Sequence, residues 1–134
     1  MRIPLTMLAA AATLASVVAV AQTTSQWRAA LTGANEVPAT SSTATGTFTA
    51  ALDETAQTLT WTLTVPSITA ATAAHIHVGA AGVNGGVVVN LFAAPASGPT
   101  SSINVSGTAR PADLVGSLAG NWTGFVSALK TSGL

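Results

Sequence analysis

A two-residue alternation at residues 58–65 constrains the fold of this chain more than any other feature. Leu59, Trp61, Leu63 and Val65 alternate there with threonines. Successive side chains of a β-strand point to opposite faces, so this pattern predicts a strand with one apolar face and one threonine face. Threonine is β-branched and favours strands even where it faces water. We therefore expect at least part of the core to be built on a β-sheet.

Shorter segments of similar character surround this strand and are separated by turn residues. Residues 46–53 alternate as well, and the turn at residues 53–57 predicts a β-hairpin with the threonine strand. Residues 87–92 are apolar on both faces, as in a strand in the middle of a sandwich. Six short strands separated by glycine, proline and asparagine turns predict an all-β sandwich or barrel. The remaining predicted strands lie near residues 27–31, 72–78 and 101–109.

The spacing of the apolar residues changes after residue 110. Pro111 suits the first position of a helix, and apolar residues then recur at three- and four-residue steps. Because glycine weakens a helix interior, the pattern predicts two short helices with a break near Gly120. The apolar residues of this stretch are Leu114, Leu118, Trp122, Phe125, Val126 and Leu129.

The amino terminus has the pattern of a secretory signal peptide. Arg2 precedes an apolar run over residues 5–20, and Ala19-Val20-Ala21 provides the small residues of a cleavage site. The run is shorter than the roughly 20 apolar residues that a membrane span needs, although a retained anchor is the alternative. We expect cleavage after Ala21, which leaves residues 22–134 as one secreted or periplasmic domain without a stable membrane anchor.

Charge excludes several classes of partner. The chain has four lysine and arginine residues against four aspartate and glutamate residues, and its net charge is zero. Such sparse charge gives neither the basic surface that binds nucleic acid nor a polybasic patch for membranes. The chain has no cysteine, so disulfides do not contribute to the fold. A protein or another extracellular ligand is the expected partner.

Three motifs in order resemble the CHRD (chordin-type) domain family. They are L-T-G-A-N-E-V-P-A-T at residues 31–40, T-A-A-H-I-H-V-G followed by a glycine turn and a valine-rich strand at residues 72–91, and S-G-T-A-R-P-A-D-L-V-G at residues 106–116. The resemblance implies an immunoglobulin-like Greek-key β-sandwich or barrel of about six to seven short strands, with one or two short C-terminal helices. It also implies an exported, non-enzymatic binding or structural module.

One departure from the family concerns the carboxyl terminus. Members of the family continue into a final strand of the form N-V-H-T, whereas this chain reaches Leu134 where that strand would begin. The resemblance therefore implies that residues 22–134 form a C-terminally truncated domain. A missing strand exposes a sheet edge, through which we expect a homodimer to form.

His75 and His77 are the main candidates for a metal site. Residues i and i+2 of a strand point to the same face, so both imidazoles are available to one copper or zinc ion. The chain has no other histidine and no cysteine, so such a site would be weak and open. The alternative is the solvent face of a strand, with the histidines hydrogen-bonded near a glycine turn. That turn contains Gly79, Gly82, Asn84 and Gly85.

Glu36 is the second candidate. It precedes an extended Val-Pro pair, and its carboxylate either fixes the loop by accepting hydrogen bonds or serves as a further ligand. Asp53 and Glu54 are adjacent, but they lie in a predicted hairpin turn. The chain has no G-x-S-x-G motif and no acidic residue beside a histidine. We therefore predict no catalytic residues.

Overall fold

The computed structural model describes residues 24–80 and 82–132. The predicted signal peptide at residues 1–21 lies outside the described residues and stays a prediction. Short 3-10 turns occur at Gly33–Asn35, Pro111–Asp113 and Gly116–Leu118. The strands and the helix are β1 (Thr24–Thr32), β2 (Thr45–Asp53), β3 (Thr58–Val65), β4 (Ala73–Val78), β5 (Gly86–Ala93), β6 (Ile103–Ala109) and α1 (Trp122–Ser132).

The strands form two antiparallel sheets. The first has the order β1-β2-β3-β6, and the second is the β4-β5 hairpin. The predicted hairpin between β2 and β3 is confirmed, with Ala50 opposite Trp61. The chain leaves the first sheet after β3, builds the second sheet and returns as β6 beside β3. The expectation of a mainly β sandwich with a C-terminal helix is thus confirmed.

The alternation in β3 determines where the core lies. Leu59, Trp61, Leu63 and Val65 are all buried, whereas the intervening threonines are exposed or half-buried. The core also contains Phe48 and Leu52 of β2, Ile76 of β4, Val88 and Val89 of β5, and Phe125 and Leu129 of α1. Trp27 of β1 is only half-buried, because β1 is an edge strand of the first sheet.

β5 is buried on both faces, as its continuous apolar run predicts for a strand inside a sandwich, since Val88 and Val89 are both buried. Among the described residues, its only strand partner is β4, and its other edge meets the segment after β6. Val89 forms a single bridge with Leu114, and the Val115 amide donates to the Val88 carbonyl over 2.9 Å. This segment covers the valine-rich strand in place of a second neighbouring strand. Two register shifts against β4 also leave consecutive valines buried.

The predicted break near Gly120 is confirmed, but two 3-10 turns replace the first of the two predicted helices. Gly116 and Gly120 have positive φ angles of 60° and 68°, which a continuous α-helix does not allow. The bridge from Leu114 to β5 also takes the backbone out of a helical path. Only α1 is therefore an α-helix in this part of the chain.

Candidate functional site

A cleft of about 860 Å³ opens beside β4 and reaches the core of the sandwich. Phe48, Leu63 and Phe125 contribute apolar side chains to it. Residues 68–79 line it without a gap. Because a strand presents only every second residue on one face, a continuous lining means that the edge of this segment faces the cleft. The cleft is therefore bounded by backbone as well as by side chains.

The hydrogen bonds at the start of β4 show which way its backbone groups point. The Thr72 carbonyl accepts from the Ala94 amide over 2.7 Å, on the side of β5. Ala71 bonds in both directions with Thr100, on the opposite side. Antiparallel pairing alternates along a strand, so the amide and carbonyl groups of residues 73, 75 and 77 point away from β5. The described residues provide no strand to pair with them.

His75 and His77 project from the same face of β4, as the sequence predicts. Their ring centroids are 5.8 Å apart and the ring planes are inclined at 70°. Both residues are exposed, whereas Ile76 between them is buried in the core. The two register shifts leave the extra residues on β5, so β4 keeps a regular alternation. The strand therefore separates an imidazole face from an apolar face.

His77 is oriented by the hairpin loop that follows it. Its Nδ1 lies 2.8 Å from the Gly85 carbonyl oxygen. A carbonyl oxygen only accepts hydrogen bonds, so Nδ1 is assigned the proton. In the neutral ring this leaves the lone pair on Nε2. A hydrogen bond near the glycine turn is what the solvent-face interpretation predicts, and it is also how proteins orient a metal-binding imidazole.

The four predicted turn residues lie in the loop that connects β4 and β5. Gly82 has a positive φ of 77°, which favours glycine. At Gly85, a Cβ atom would overlap the Val78 carbonyl oxygen, so the close approach of the loop to the end of β4 excludes a side chain there. Gly79 faces Gly85 across the loop, and Asn84 immediately precedes Gly85 in the sequence. This close approach places the Gly85 carbonyl within reach of His77.

Glu36 lies in the loop after β1, is exposed, and lines the same cleft as the two histidines. The Gly33 carbonyl in this loop accepts from the Thr40 amide over 2.8 Å. Among the described residues, no side-chain hydrogen bond or ion pair involves Glu36. Both roles predicted for its carboxylate, fixing the loop and binding a ligand, stay predictions.

The other acidic residues have structural roles at turns. Asp53 Oδ1 accepts from the Ala56 amide over 2.8 Å, and Asp113 Oδ2 accepts from the Arg110 amide over the same distance. Glu54 forms an ion pair with Lys130. Within residues 24–80 and 82–132, no three histidine, cysteine, aspartate or glutamate residues are grouped as metal ligands.

The cleft is the feature that sequence reasoning missed. Residues 67–72 show no clear period, and Thr69, Ala70 and Thr72 are small, exposed residues at its rim. Ala70 has a positive φ of 57°, which is uncommon for a residue with a side chain. The lack of periodicity after Pro66 was the available signal, because it indicates a segment that belongs to neither sheet.

Comparison with family models identifies one family. The model of the CHRD domain matches residues 27–130. The chain belongs to the CHRD domain family. The match confirms the resemblance carried by the three motifs and runs from β1 into α1, so the two sheets and the cleft belong to one CHRD domain. CHRD domains form a family of non-enzymatic modules and occur in extracellular or secreted proteins.

Comparisons of this CHRD domain with curated proteins and with solved structures gave no match. Across the described part of the chain, no helix has the length and apolar character needed to cross a membrane.

Proposed function

We propose that this chain is an exported, non-enzymatic module that works by contact with a protein or another ligand outside the cytoplasm. The observation that carries the proposal is the CHRD match over residues 27–130, which spans nearly all of the described chain. The general character of the family, an extracellular binding or structural module, thus applies to the domain as a whole. The signal-peptide pattern at residues 1–21 supports export.

The cleft beside β4 supplies a surface for such contact. Its rim consists of small, exposed residues that include Thr69 and Thr72, and its apolar lining includes Leu31 and Phe48. Concave apolar surfaces with a few polar groups are the usual form of binding sites. His75, His77 and Glu36 line the same cleft and add ionisable side chains to the hydroxyl groups of its rim.

The surroundings of the histidines support a role without catalysis. Nucleophilic catalysis by serine needs a histidine hydrogen-bonded to the nucleophile and oriented by a carboxylate. In the described part of the chain, the only hydrogen bond of a histidine ring joins His77 to the Gly85 carbonyl. The carboxylates of Asp53, Glu54 and Asp113 act at turns or in an ion pair.

Cell fractionation tests the proposed location. The full chain, with an epitope tag at its carboxyl terminus, would be produced in its own host, and each fraction would be measured by immunoblot and intact mass. We expect the protein outside the cytoplasm, with a mass that corresponds to cleavage after Ala21. A variant with Ala19→Arg and Ala21→Arg should keep residues 1–21, because large charged residues block the cleavage site. Wild-type chain found only in the cytoplasm at full length would contradict the proposal.

A further inference from the structure

The geometry of β4 points to a metal site that two copies of the chain build together: we propose that their β4 strands pair edge to edge and that the two His75–His77 pairs bind one Zn²⁺ or Cu²⁺ ion. The inference rests on the proposed function in one respect, because it names a second copy as the partner at the contact surface beside β4. The site is incomplete on a single chain, which supplies only two imidazoles.

The edge of β4 meets the geometric needs of strand pairing. Backbone groups of Ala73, His75 and His77 point away from β5, and the described residues leave them without a strand partner. Such an edge is a template for a further strand. The strand is regular along Ala73–Val78, since the bulged residues are on β5. A second copy brings a strand of the same length and the same alternation, and the sparse, nearly balanced charge of the chain opposes association little.

Antiparallel pairing about a twofold axis at Ile76 brings the histidines together. In this register His75 of each copy lies directly opposite His77 of the other copy. Both residues have outward backbone groups, so each such pair exchanges two hydrogen bonds, with Cα atoms about 5.5 Å apart. Ile76 points into the core of its own copy, so the apolar faces keep their packing. All the imidazoles then project from one face of a continuous four-stranded sheet.

The chemistry of this cluster suits a divalent cation of intermediate softness. Imidazole nitrogen binds Zn²⁺ and Cu²⁺ well, and closed zinc sites are tetrahedral. The bond from His77 Nδ1 to the Gly85 carbonyl turns Nε2 outward as the ligand atom and holds the ring in place. Within one chain the rings are already 5.8 Å apart on one face, so little rearrangement is needed. The metal thus links two strand edges that would otherwise associate weakly.

Sedimentation velocity of the purified protein, with and without ZnCl₂, tests the inference. Zn²⁺ should convert monomer to dimer, with about one ion bound per two chains by calorimetry and metal analysis. The variant His75→Ala/His77→Ala should weaken zinc-dependent dimerisation at least about tenfold. Its folding is checked by circular dichroism, and its matched control is Thr60→Ala/Thr62→Ala, the same spacing on exposed positions of β3. The control should dimerise with zinc as the wild type does.

A second variant separates strand pairing from the ligands themselves. Ala73→Pro keeps both histidines but removes one amide hydrogen that points away from β5. We expect it to retain the fold and to dimerise less with zinc. One Zn²⁺ bound per monomer would overturn the inference, as would the absence of zinc binding, zinc-independent dimerisation in the histidine variant, or unchanged zinc-dependent dimerisation of Ala73→Pro. None of these outcomes depends on where the protein is located. A failure of this inference can therefore be distinguished from a failure of the proposed function, which cell fractionation tests.

Discussion

Neighbouring residues of β4 have different roles because a strand alternates its faces. His75 and His77 are exposed, and Ile76 between them contacts the core. The sequence of residues 75–77 predicts this arrangement. Once these residues are assigned to a strand, their side chains must point alternately to its two faces. The hydrogen bond from His77 to Gly85 was predictable only as a general tendency near a glycine turn. Its partner depends on the approach of Gly85 to Val78.

The alternation of faces in β4 predicts that substitutions at two adjacent residues change the stability by very different amounts. Ile76→Ala should lower the free energy of unfolding by about 2–4 kcal/mol, because it leaves a cavity in the core. His75→Ala should change it by less than about 0.5 kcal/mol, because the side chain is exposed. Urea denaturation followed by tryptophan fluorescence measures both values. Equal losses in the two variants would contradict the assigned faces of β4.

Gly107 of β6 is fixed by its neighbour across the sheet. It pairs with Trp61, and a Cβ atom at residue 107 would lie 2.6 Å from Cζ2 of the indole ring. Gly107→Ala should therefore displace the ring and cost about 1–3 kcal/mol of stability, as overpacking does in well-packed cores. Gly86→Ala is the matched control, since no atom lies within 4 Å of a Cβ there. Thermal denaturation by circular dichroism compares them, and equal melting temperatures would refute the tight packing of Trp61 on Gly107.

At the scale of elements, the strands of the first sheet are the part that the sequence predicts best. β2 and β3 alternate strictly, and a short turn joins them, so local information is sufficient. The continuous apolar run of β5 predicts burial on both faces, but it does not show which segment covers the strand. Here the cover is the segment around Leu114, which follows β6 and comes from 25 residues further along the chain than Val89. Contacts of that range are not encoded in local periodicity.

The start of α1 is fixed by an N-cap that the sequence analysis did not assign. Asn121 Oδ1 accepts from the Gly124 amide over 2.9 Å, which satisfies one of the free amides at the helix start. Asn121→Ala should cost about 1 kcal/mol, whereas Asn121→Asp should retain most of the stability. Chemical denaturation of both variants measures the difference. An alanine variant as stable as the aspartate variant would show that the cap contributes nothing.

The ion pair between α1 and the β2–β3 turn contributes little by comparison. Lys130 Nζ lies 2.7 Å from Glu54 Oε1, but the two side chains are 48% and 38% exposed. Solvent screens such pairs, so Lys130→Ala should change the free energy of unfolding by less than about 1 kcal/mol. The buried residues of α1, among them Phe125 and Leu129, hold the helix on the sandwich instead. A loss in Lys130→Ala as large as that in Leu129→Ala would contradict this ranking, again by chemical denaturation.

At the scale of the whole molecule, the unequal sizes of the two sheets have the largest consequence. The first sheet has four strands and the second has two, and the cleft opens beside the free edge of β4. Sequence patterns predict which residues face a core, but they do not predict how far one sheet covers the other. The motifs of the CHRD family identify the fold, and the cleft appears only when the sheets are placed together.

Contact through the cleft is tested most directly by the binding of the purified protein to extracellular material isolated from its host. Bound and free protein would be measured over a range of concentrations for the wild type, Thr72→Arg and Thr62→Arg. Both threonines are exposed, but only Thr72 lines the cleft. We expect saturable binding by the wild type and by Thr62→Arg, and binding weakened at least about tenfold in Thr72→Arg. Equal binding by all three proteins, or no saturable binding by the wild type, would contradict a contact function for this cleft.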